Sequence, residues 1–203
     1  KPFKTIKHGS DILEPGDKLL IHEGVYHEQI MGGKSGLPDK PITYEGVDRD
    51  RVILRGSVTV KDWKKAGNLW FKVGLTPLNN GRSFVMVDEK ILLKRSSSLQ
   101  GMPEGSFYFD DNNYYIRLSG DANPNSNHVV DVYELDLAFN AGARWGGTAK
   151  KRIILRNMTI EKYGVFGVSA QRDQREQNSH WELDNLKLQY NQAGGVFCAL
   201  DDW

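Results

Sequence analysis

A charged stretch near the C-terminal end of the chain carries the side chains best suited to acid–base chemistry. Arg172 and Arg175 lie among alternating charges and could neutralise a bound carboxylate. Lys162, His180 and Tyr190 lie on either side of them in the sequence and could move a proton as base or acid. The same composition is typical of a solvated surface loop, and the sequence leaves both interpretations open.

Aromatic side chains suggest a second kind of chemistry, the stacking of sugar rings. An aromatic face binds the apolar face of a pyranose by dispersion and CH–π contact. Trp145 lies in a glycine-rich stretch that favours exposure, and Phe197 lies in a predicted strand. Tyr163 and Asn191 occupy equivalent positions of an internal repeat. These four residues are the predicted substrate-binding set.

A further group of aromatic residues lies between positions 61 and 127, which hold nine of the 21 aromatic residues of the chain. Because side chains alternate along a strand, we expect about half of them to face a small core and the rest to face outward. The members that could stack on sugars are chiefly Trp63, Trp70, Tyr108, Tyr114 and Tyr115.

Acidic residues at the C-terminal end raise the question of a metal ion. Asp201 and Asp202, with Glu182 or Asp184, could offer the oxygen ligands that calcium prefers. Adjacent residues of a strand point to opposite faces, so two such aspartates rarely bind one ion. The sequence therefore predicts no cofactor, with calcium as an open candidate. The single cysteine, Cys198, excludes an internal disulfide and a cysteine-ligated zinc site.

The elements that must position these residues are predicted from an internal repeat. Residues 155–160 match residues 183–188 at an offset of 28, and Gly167-Val168 matches Gly195-Val196 at the same offset. A fixed period built from strands predicts a solenoid. The asparagines of the repeat, Asn157 and Asn185, suit a sharp bend in the left-handed region, and we expect their side chains to bond to each other.

Strand alternation also predicts which repeat residues face outward. Phe166 and Val168 are expected inside, whereas Gly167, Ser169 and Phe197 are expected to face solvent. Gly195 is equivalent to Gly167 and is expected to face the same way. The predicted outer surface is a shallow floor with one aromatic plate.

Composition limits the classes of partner. The chain has 203 residues, 39% of them hydrophobic and 26% charged, with a net charge of +1. This balance excludes disorder and supplies no net charge to attract nucleic acid. No apolar run approaches the ~20 residues that cross a bilayer. We therefore expect neither nucleic acid nor membrane as a partner, and the short apolar runs between Gly, Asn and Asp predict an all-β protein.

Three segments are predicted along the chain. Residues 1–60 form N-terminal coils that begin with a short helix near Ile6–Leu13, residues 61–127 form an inserted antiparallel β-module, and residues 128–203 form further coils. Two hairpins are predicted within the module, because Asp and Asn suit tight turns. The hairpins pair residues 84–87 with 91–93, and residues 107–109 with 114–116.

Most of the chain resembles a known class of proteins. Four N-terminal segments are similar to the opening coils of right-handed parallel β-helix proteins: Lys1–Ile6, Glu14–Ile21, Glu23–Glu28 and Lys40–Gly46. The likeness is to the pectate-lyase-like superfamily, and within it most to the group of alginate lyases and chondroitinase B. Gly105–Asp110, with the strand that begins at Tyr114, is similar to a module of bacterial β-helix proteins.

The resemblance implies an all-β, right-handed parallel β-helix with an inserted antiparallel β-module, in a protein that is extracellular or periplasmic. It implies binding of an acidic polysaccharide, with β-eliminative cleavage left open, since the catalytic and calcium-binding motifs of the lyases are not matched in this chain. Cleavage would need a cation for the carboxylate, a base for the C5 proton and an acid for the leaving oxygen.

Two alternatives to an enzyme remain open at the level of the sequence. One is a non-catalytic glycan-binding module or adhesin. The other is a truncated solenoid that forms a homo-oligomer through the open edge of its C-terminal coil, since proteins normally cap or pair such an edge.

Overall fold

A computed structural model of the chain describes residues 2–31, 33–75, 78, 83–110, 112–141, 150–170 and 180–198, without the side chain of Cys198. The chain divides into two compact units. Unit 1 comprises Lys1–Gly56 and Leu135–Trp203, and unit 2 comprises Ser57–Glu134. The three-segment division predicted from the sequence stays a prediction.

Short β-strands dominate both units. In chain order the elements are α1 (Ile6–Ile12), β1 (Lys18–Ile21), β2 (Gly24–Tyr26), β3 (Ile42–Gly46), β4 (Val52–Arg55), β5 (Ser57–Val60), β6 (Lys64–Ala66), β7 (Leu69–Val73), β8 (Val85–Val87), β9 (Ile91–Leu92), β10 (Lys94–Arg95), β11 (Ser106–Asp110), β12 (Asn113–Arg117), a 3-10 turn (Ser119–Asp121), β13 (Val130–Tyr133), β14 (Leu137–Asn140), β15 (Ile153–Glu161), β16 (Phe166–Ala170), β17 (Glu182–Gln189) and β18 (Gly194–Cys198).

The helix predicted near the N-terminus is confirmed as α1. The Thr5 hydroxyl caps it by accepting a hydrogen bond from the His8 backbone N–H at 3.2 Å. Ile6 and Leu13 are buried in the core of unit 1. The helix therefore covers one end of that core.

The largest sheet of unit 1 is parallel and has six strands. Its order is β1-β3-β15-β4-β2, and β17 pairs with the other edge of β15. The nine-residue β15 pairs with β3 along its first half and with β4 along its second half. A second parallel sheet has the order β14-β16-β18. Buried aliphatic residues from both sheets, such as Leu54, Leu155 and Val168, form one core.

The register of the repeat is confirmed. Leu155 lies opposite Leu183, and Val168 lies opposite Val196, which is the 28-residue offset seen in the sequence. Asn157 and Asn185 have φ of 56° and 47°, and the Asn185 side-chain amide donates to Asn157 Oδ1 at 2.9 Å. The asparagines therefore form the bend and the side-chain bond that were predicted.

The predicted fold class, an all-β right-handed parallel β-helix with an inserted antiparallel module, is wrong. The chain is mostly β, but its main sheet is a curled parallel half-barrel that is accompanied by several small sheets. The solenoid was extrapolated from two copies of a repeat. In the described residues, β15 and β17 are the long strands of this sheet, and the other members have three to five residues. The strands β3 and β4 pair with the two halves of β15, and β1 and β2 pair with β3 and β4 on their far sides.

Unit 2 contains two mostly antiparallel sheets. One has the order β10-β11-β12-β7-β6 and the other β5-β13-β8-β9. Both predicted hairpins are confirmed, since Val87 pairs with Ile91 and Phe109 pairs with Tyr114. A separate core lies within this unit and includes Trp63, Trp70 and Phe107.

Within the described residues, the edge strands β17 and β18 each pair with one neighbouring strand. The strand β17 pairs with β15, and β18 pairs with β16. Self-association through this edge stays a prediction. Within the same residues, no helix has the length and apolar character that a membrane-spanning segment requires.

Candidate functional site

Three aromatic residues lie side by side across neighbouring strands of the five-stranded sheet in unit 2. Phe71 of β7 is opposite Tyr115 of β12, and Tyr115 is opposite Tyr108 of β11. We call Phe71, Tyr115 and Tyr108 the aromatic row. Because residues opposite one another on adjacent strands share a face, all three side chains project from the same face of the sheet.

The rings of the aromatic row form a continuous surface. The centroids of Phe71 and Tyr115 are 6.1 Å apart with an interplanar angle of 30°, and those of Tyr108 and Tyr115 are 6.2 Å apart at 41°. All three side chains are half-buried, so part of each ring is open to solvent. A series of neighbouring rings is suited to contact several units of a chain-like ligand.

The opposite face of the same sheet is the core of unit 2. Trp70, Tyr114 and Ile116 alternate with the row residues along β7 and β12 and are buried. The Tyr114 hydroxyl donates to Ser83 Oγ at 2.6 Å, and burial raises the pKa of this phenol to about 12. This packing and hydrogen bonding fix the backbone from which the row projects.

The sequence therefore predicted the sugar-stacking candidates in unit 2 only in part. Trp63, Trp70 and Tyr114 belong to the core, and the Trp63 indole N–H donates to the Val60 carbonyl at 3.2 Å. Tyr108 and Tyr115 face outward, as alternation allowed. Phe71 was missed, although its position directly after Trp70 was the available signal.

Polar groups lie beside the aromatic row. Asn113 and Asp110 are opposite each other, two residues from Tyr115 and Tyr108, and the Asn113 amide donates to Asp110 Oδ1 at 3.2 Å. Partial burial raises the pKa of Tyr115, and the negative charge of Asp110 and the Tyr108 phenol contribute to the shift. These amide and carboxylate groups could bond to hydroxyl groups of a sugar held on the rings.

Two exposed lysines lie at the two edges of the same sheet. Lys64 of β6 is opposite Phe71, and Lys94 of β10 is opposite Ser106, two residues before Tyr108. A third cation of this face among the described residues, Arg117, forms ion pairs with Glu104 at 3.4 Å and Asp121 at 2.8 Å. The row is thus bounded by positive charge on both sides.

The catalytic residues predicted from the sequence are only partly placed. Arg172 and Arg175 lie outside the described residues, and so does the predicted sugar-binding residue Trp145. Lys162 is 1% exposed and His180 is exposed. The catalytic roles of these residues therefore stay predictions.

Two of the predicted sugar-binding residues, Tyr163 and Asn191, belong to the framework of unit 1. Tyr163 is fully buried, and its hydroxyl donates to the Glu28 carbonyl at 2.7 Å. Burial raises the pKa of this phenol well above its usual value, and the charges of Glu28 and Glu161 add to the effect. Asn191 Oδ1 accepts the Tyr163 backbone N–H, and its amide donates to the Ile160 carbonyl. Tyr190 follows β17 at a positive φ of 57° and is 43% exposed.

Phe197 lies in β18 and contacts another ring. It is half-buried, and its centroid is 4.9 Å from that of Phe166, which was predicted to point inward but is also half-buried. The prediction that Gly167 and Gly195 face outward is wrong. A Cβ at Gly167 would come within 3.1 Å of Ile160 Cγ2, and one at Gly195 would lie 3.0 Å from the Leu188 side chain. These positions allow a close approach of strands.

A buried ion pair on the six-stranded sheet was not anticipated from the sequence. Glu161 is 3% exposed, and its Oε1 accepts from Arg55 Nη2 at 2.6 Å and Nε at 2.7 Å. Gln189 donates to Glu161 Oε2 at 2.6 Å. The three residues occupy one register position on β4, β15 and β17. Both carboxylate oxygens are therefore engaged, which indicates a structural role.

The structure describes two of the four calcium candidates, Glu182 and Asp184. Glu182 and Asp184 both face Arg156, with Nη2 2.8 Å from Glu182 Oε1 and Nε 3.6 Å from Asp184 Oδ2. Asp201 and Asp202 lie outside the described residues. Among the residues that are described, no three potential metal ligands gather in one place.

Comparisons with known proteins find a similar sequence over part of the chain and a similar fold over most of it. No family model matches the chain. A stretch of 56 residues, 28% of the chain, is 38% identical to the uncharacterized protein YwoF of Bacillus subtilis (strain 168) and covers 12% of that protein. In structure the chain is similar to XylC, solved in complex with xylose, with a TM-score of 0.67 and 15% identity over 91% of the chain. A glycoside hydrolase gives a TM-score of 0.46 with 12% identity over 72% of the chain.

The likeness to XylC corrects the resemblance stated from the sequence. Assignment to the pectate-lyase-like superfamily, near alginate lyases and chondroitinase B, is wrong, because the chain is similar in fold to XylC and its own main sheet is a curled parallel half-barrel. The N-terminal turn and strand motifs that carried the resemblance specify local structure rather than a family. This chain spans 37% of the XylC chain and 43% of the glycoside hydrolase chain.

Proposed function

We propose that this protein binds a polysaccharide and that the aromatic row of Phe71, Tyr115 and Tyr108 is its sugar-contacting surface. The observation that carries the proposal is the row itself: three half-exposed rings on adjacent strands, separated by 6.1 and 6.2 Å. A sugar chain lying across the strands would contact the three rings in succession, and each contact removes apolar surface from water.

The fold comparison supports the same class of ligand. XylC was solved with xylose bound, and 91% of this chain superposes on it. At 15% identity this likeness concerns the fold, so the ligand is argued from the side chains. The acidic polysaccharide predicted from the sequence is retained as part of the proposal, because Lys64 and Lys94 lie at the two sides of the row.

A second candidate surface is the pair formed by Phe166 and Phe197 on the three-stranded sheet. Its two rings are 4.9 Å apart and half-buried. It offers a smaller aromatic surface than the row. Binding of a glycan by a non-catalytic module is the function that both surfaces would serve.

The test is binding of soluble polysaccharides and their oligosaccharides to the purified chain, measured by isothermal titration calorimetry. Xylan, pectate and alginate form the first panel. We expect Tyr115→Ala to weaken the best ligand about tenfold, because loss of a central ring contact costs about 1.4 kcal/mol. We expect Phe71→Ala to weaken it less, because that ring lies at one end of the row.

A matched control is Phe3→Ala, which removes a ring that is 48% exposed in unit 1. This variant should bind as the parent chain does. Equal binding by the parent chain and by Tyr115→Ala would refute the row as the site, and a loss confined to Phe197→Ala would move the site to the second surface.

A further inference from the structure

The two lysines beside the aromatic row lie at opposite edges of its sheet. The strand β6 is one edge of the five-stranded sheet and carries Lys64, and β10 is the other edge and carries Lys94. Both side chains are exposed. A ligand that crosses all the strands along the row therefore meets a positive charge where it enters and where it leaves.

Each lysine lies close enough to one end of the aromatic row to reach a ligand that runs along the row. Lys64 is directly opposite Phe71, so their Cβ atoms are neighbours across one strand spacing. Lys94 is opposite Ser106 and is thus a diagonal neighbour of Tyr108. Diagonal neighbours remain within reach of long side chains, and the lysine stem is among the longest.

Neither lysine side chain is engaged in an ion pair within the described part of the protein. No described carboxylate forms an ion pair with Lys64 or Lys94, whereas Glu104 and Asp121 are both engaged by Arg117. Asp110, a further carboxylate beside the row in the described part of unit 2, accepts a hydrogen bond from Asn113. Two cations are therefore available to a ligand at the ends of the row.

We propose that the ligand is a polysaccharide chain bearing carboxylates, bound across the strands with one carboxylate at Lys64 and another at Lys94. This inference rests on the proposed function and specifies the chemical class of the ligand. The pyranose faces between the two carboxylates stack on the aromatic row. Asp110 lies two residues beyond Tyr108, on the side away from Ser106, so it repels a carboxylate there and leaves the Lys94 side as the favourable position at that end of the row.

A single uronic acid unit cannot contact both lysines, because three ring positions separate them. We therefore expect affinity to rise sharply once an oligomer is long enough to span the row. Such an increase reflects the second contact becoming intramolecular. The charge contribution should also fall as salt is added, since exposed ion pairs are screened.

The experiment compares oligogalacturonates with their methyl esters, which keep the sugar faces but lack the charge. The variants are Lys64→Gln, Lys94→Gln and the double variant. We expect each single substitution to weaken oligogalacturonate binding about two- to fivefold, as exposed ion pairs allow, and the double substitution to weaken it about tenfold. Binding of the methyl esters should not change.

The control is Lys65→Gln, at the neighbouring position in β6. The Lys65 amine lies 5.7 Å from the Trp70 ring, on the opposite face of the sheet, and this variant should bind the acid as the parent chain does. The charge proposal is overturned when the double variant binds the acid as well as the parent does, while Tyr115→Ala still loses the ester. Failure of the parent chain to bind either form while it binds xylan also overturns the charge proposal, whereas failure to bind any polysaccharide of the panel overturns the proposed function itself.

Discussion

Replacement of Tyr114 by phenylalanine should make the stability of unit 2 less sensitive to alkaline pH. Tyr114 is fully buried beneath the aromatic row, and its hydroxyl donates to Ser83 Oγ. Burial raises the pKa of the phenol from 10.0 to about 12. The Ser83 hydroxyl also accepts the Leu78 backbone N–H at 3.0 Å, so it keeps one partner in Tyr114→Phe.

The size of this pH effect on stability follows from the pKa shift of Tyr114. The phenol keeps its proton to a higher pH in the folded chain than in the unfolded chain, so its contribution to stability is complete below pH 10 and is lost as the pH rises towards 12. Each unit of pKa difference is worth about 1.4 kcal/mol. Between pH 9 and pH 11 the parent chain should therefore lose about 1.3 kcal/mol relative to Tyr114→Phe.

Urea denaturation at pH 7, 9 and 11, followed by intrinsic fluorescence, measures this difference. At pH 7 the parent should be more stable by about 1 kcal/mol, the net value of one buried hydrogen bond. At pH 11 the two proteins should have nearly equal free energies of unfolding. A stability difference that stays constant from pH 9 to pH 11 would refute the assignment of Tyr114 to a buried environment.

Two further substitutions test unit 1. Glu161→Gln should lower the free energy of unfolding by about 2–3 kcal/mol, because it leaves Arg55, which is a quarter exposed, without its carboxylate. A double-mutant cycle with Arg55→Gln, measured by urea denaturation, should give a coupling energy between the two residues, and its absence would contradict the pairing. Gly46→Ala should cost at least about 1–3 kcal/mol, because its Cβ would overlap the Asn157 carbonyl oxygen; an unchanged thermal midpoint would contradict that close approach.

Local features of the chain were predictable because short-range chemistry determines them. The Asn157–Asn185 bond follows from an asparagine that recurs at a bend with a fixed offset, and the hairpin of Phe109 and Tyr114 follows from its Asp- and Asn-rich turn. The same reasoning failed when it was extended to the whole fold. Two matching segments specify how two strands pair, but not how many strands follow or how the sheet curls.

The candidate site was only partly predictable for a similar reason. Alternation indicated that half of the unit 2 aromatics face outward, but it could not identify which half without the register. The register aligns Phe71 with Tyr115 and Tyr108, which are 37 or more positions later in the chain. The Glu161–Arg55 pair likewise joins residues 106 positions apart, so sequence proximity gave no signal for it.

Chemical-shift mapping of the isotope-labelled chain, titrated with an oligogalacturonate, tests the central claim most directly. The largest perturbations should fall on the backbone amides of Phe71, Tyr108 and Tyr115, with smaller ones at Lys64 and Lys94, and they should be lost in Tyr115→Ala. Perturbations centred on Phe166 and Phe197, or none at saturating oligosaccharide, would contradict the aromatic row as the glycan-binding surface.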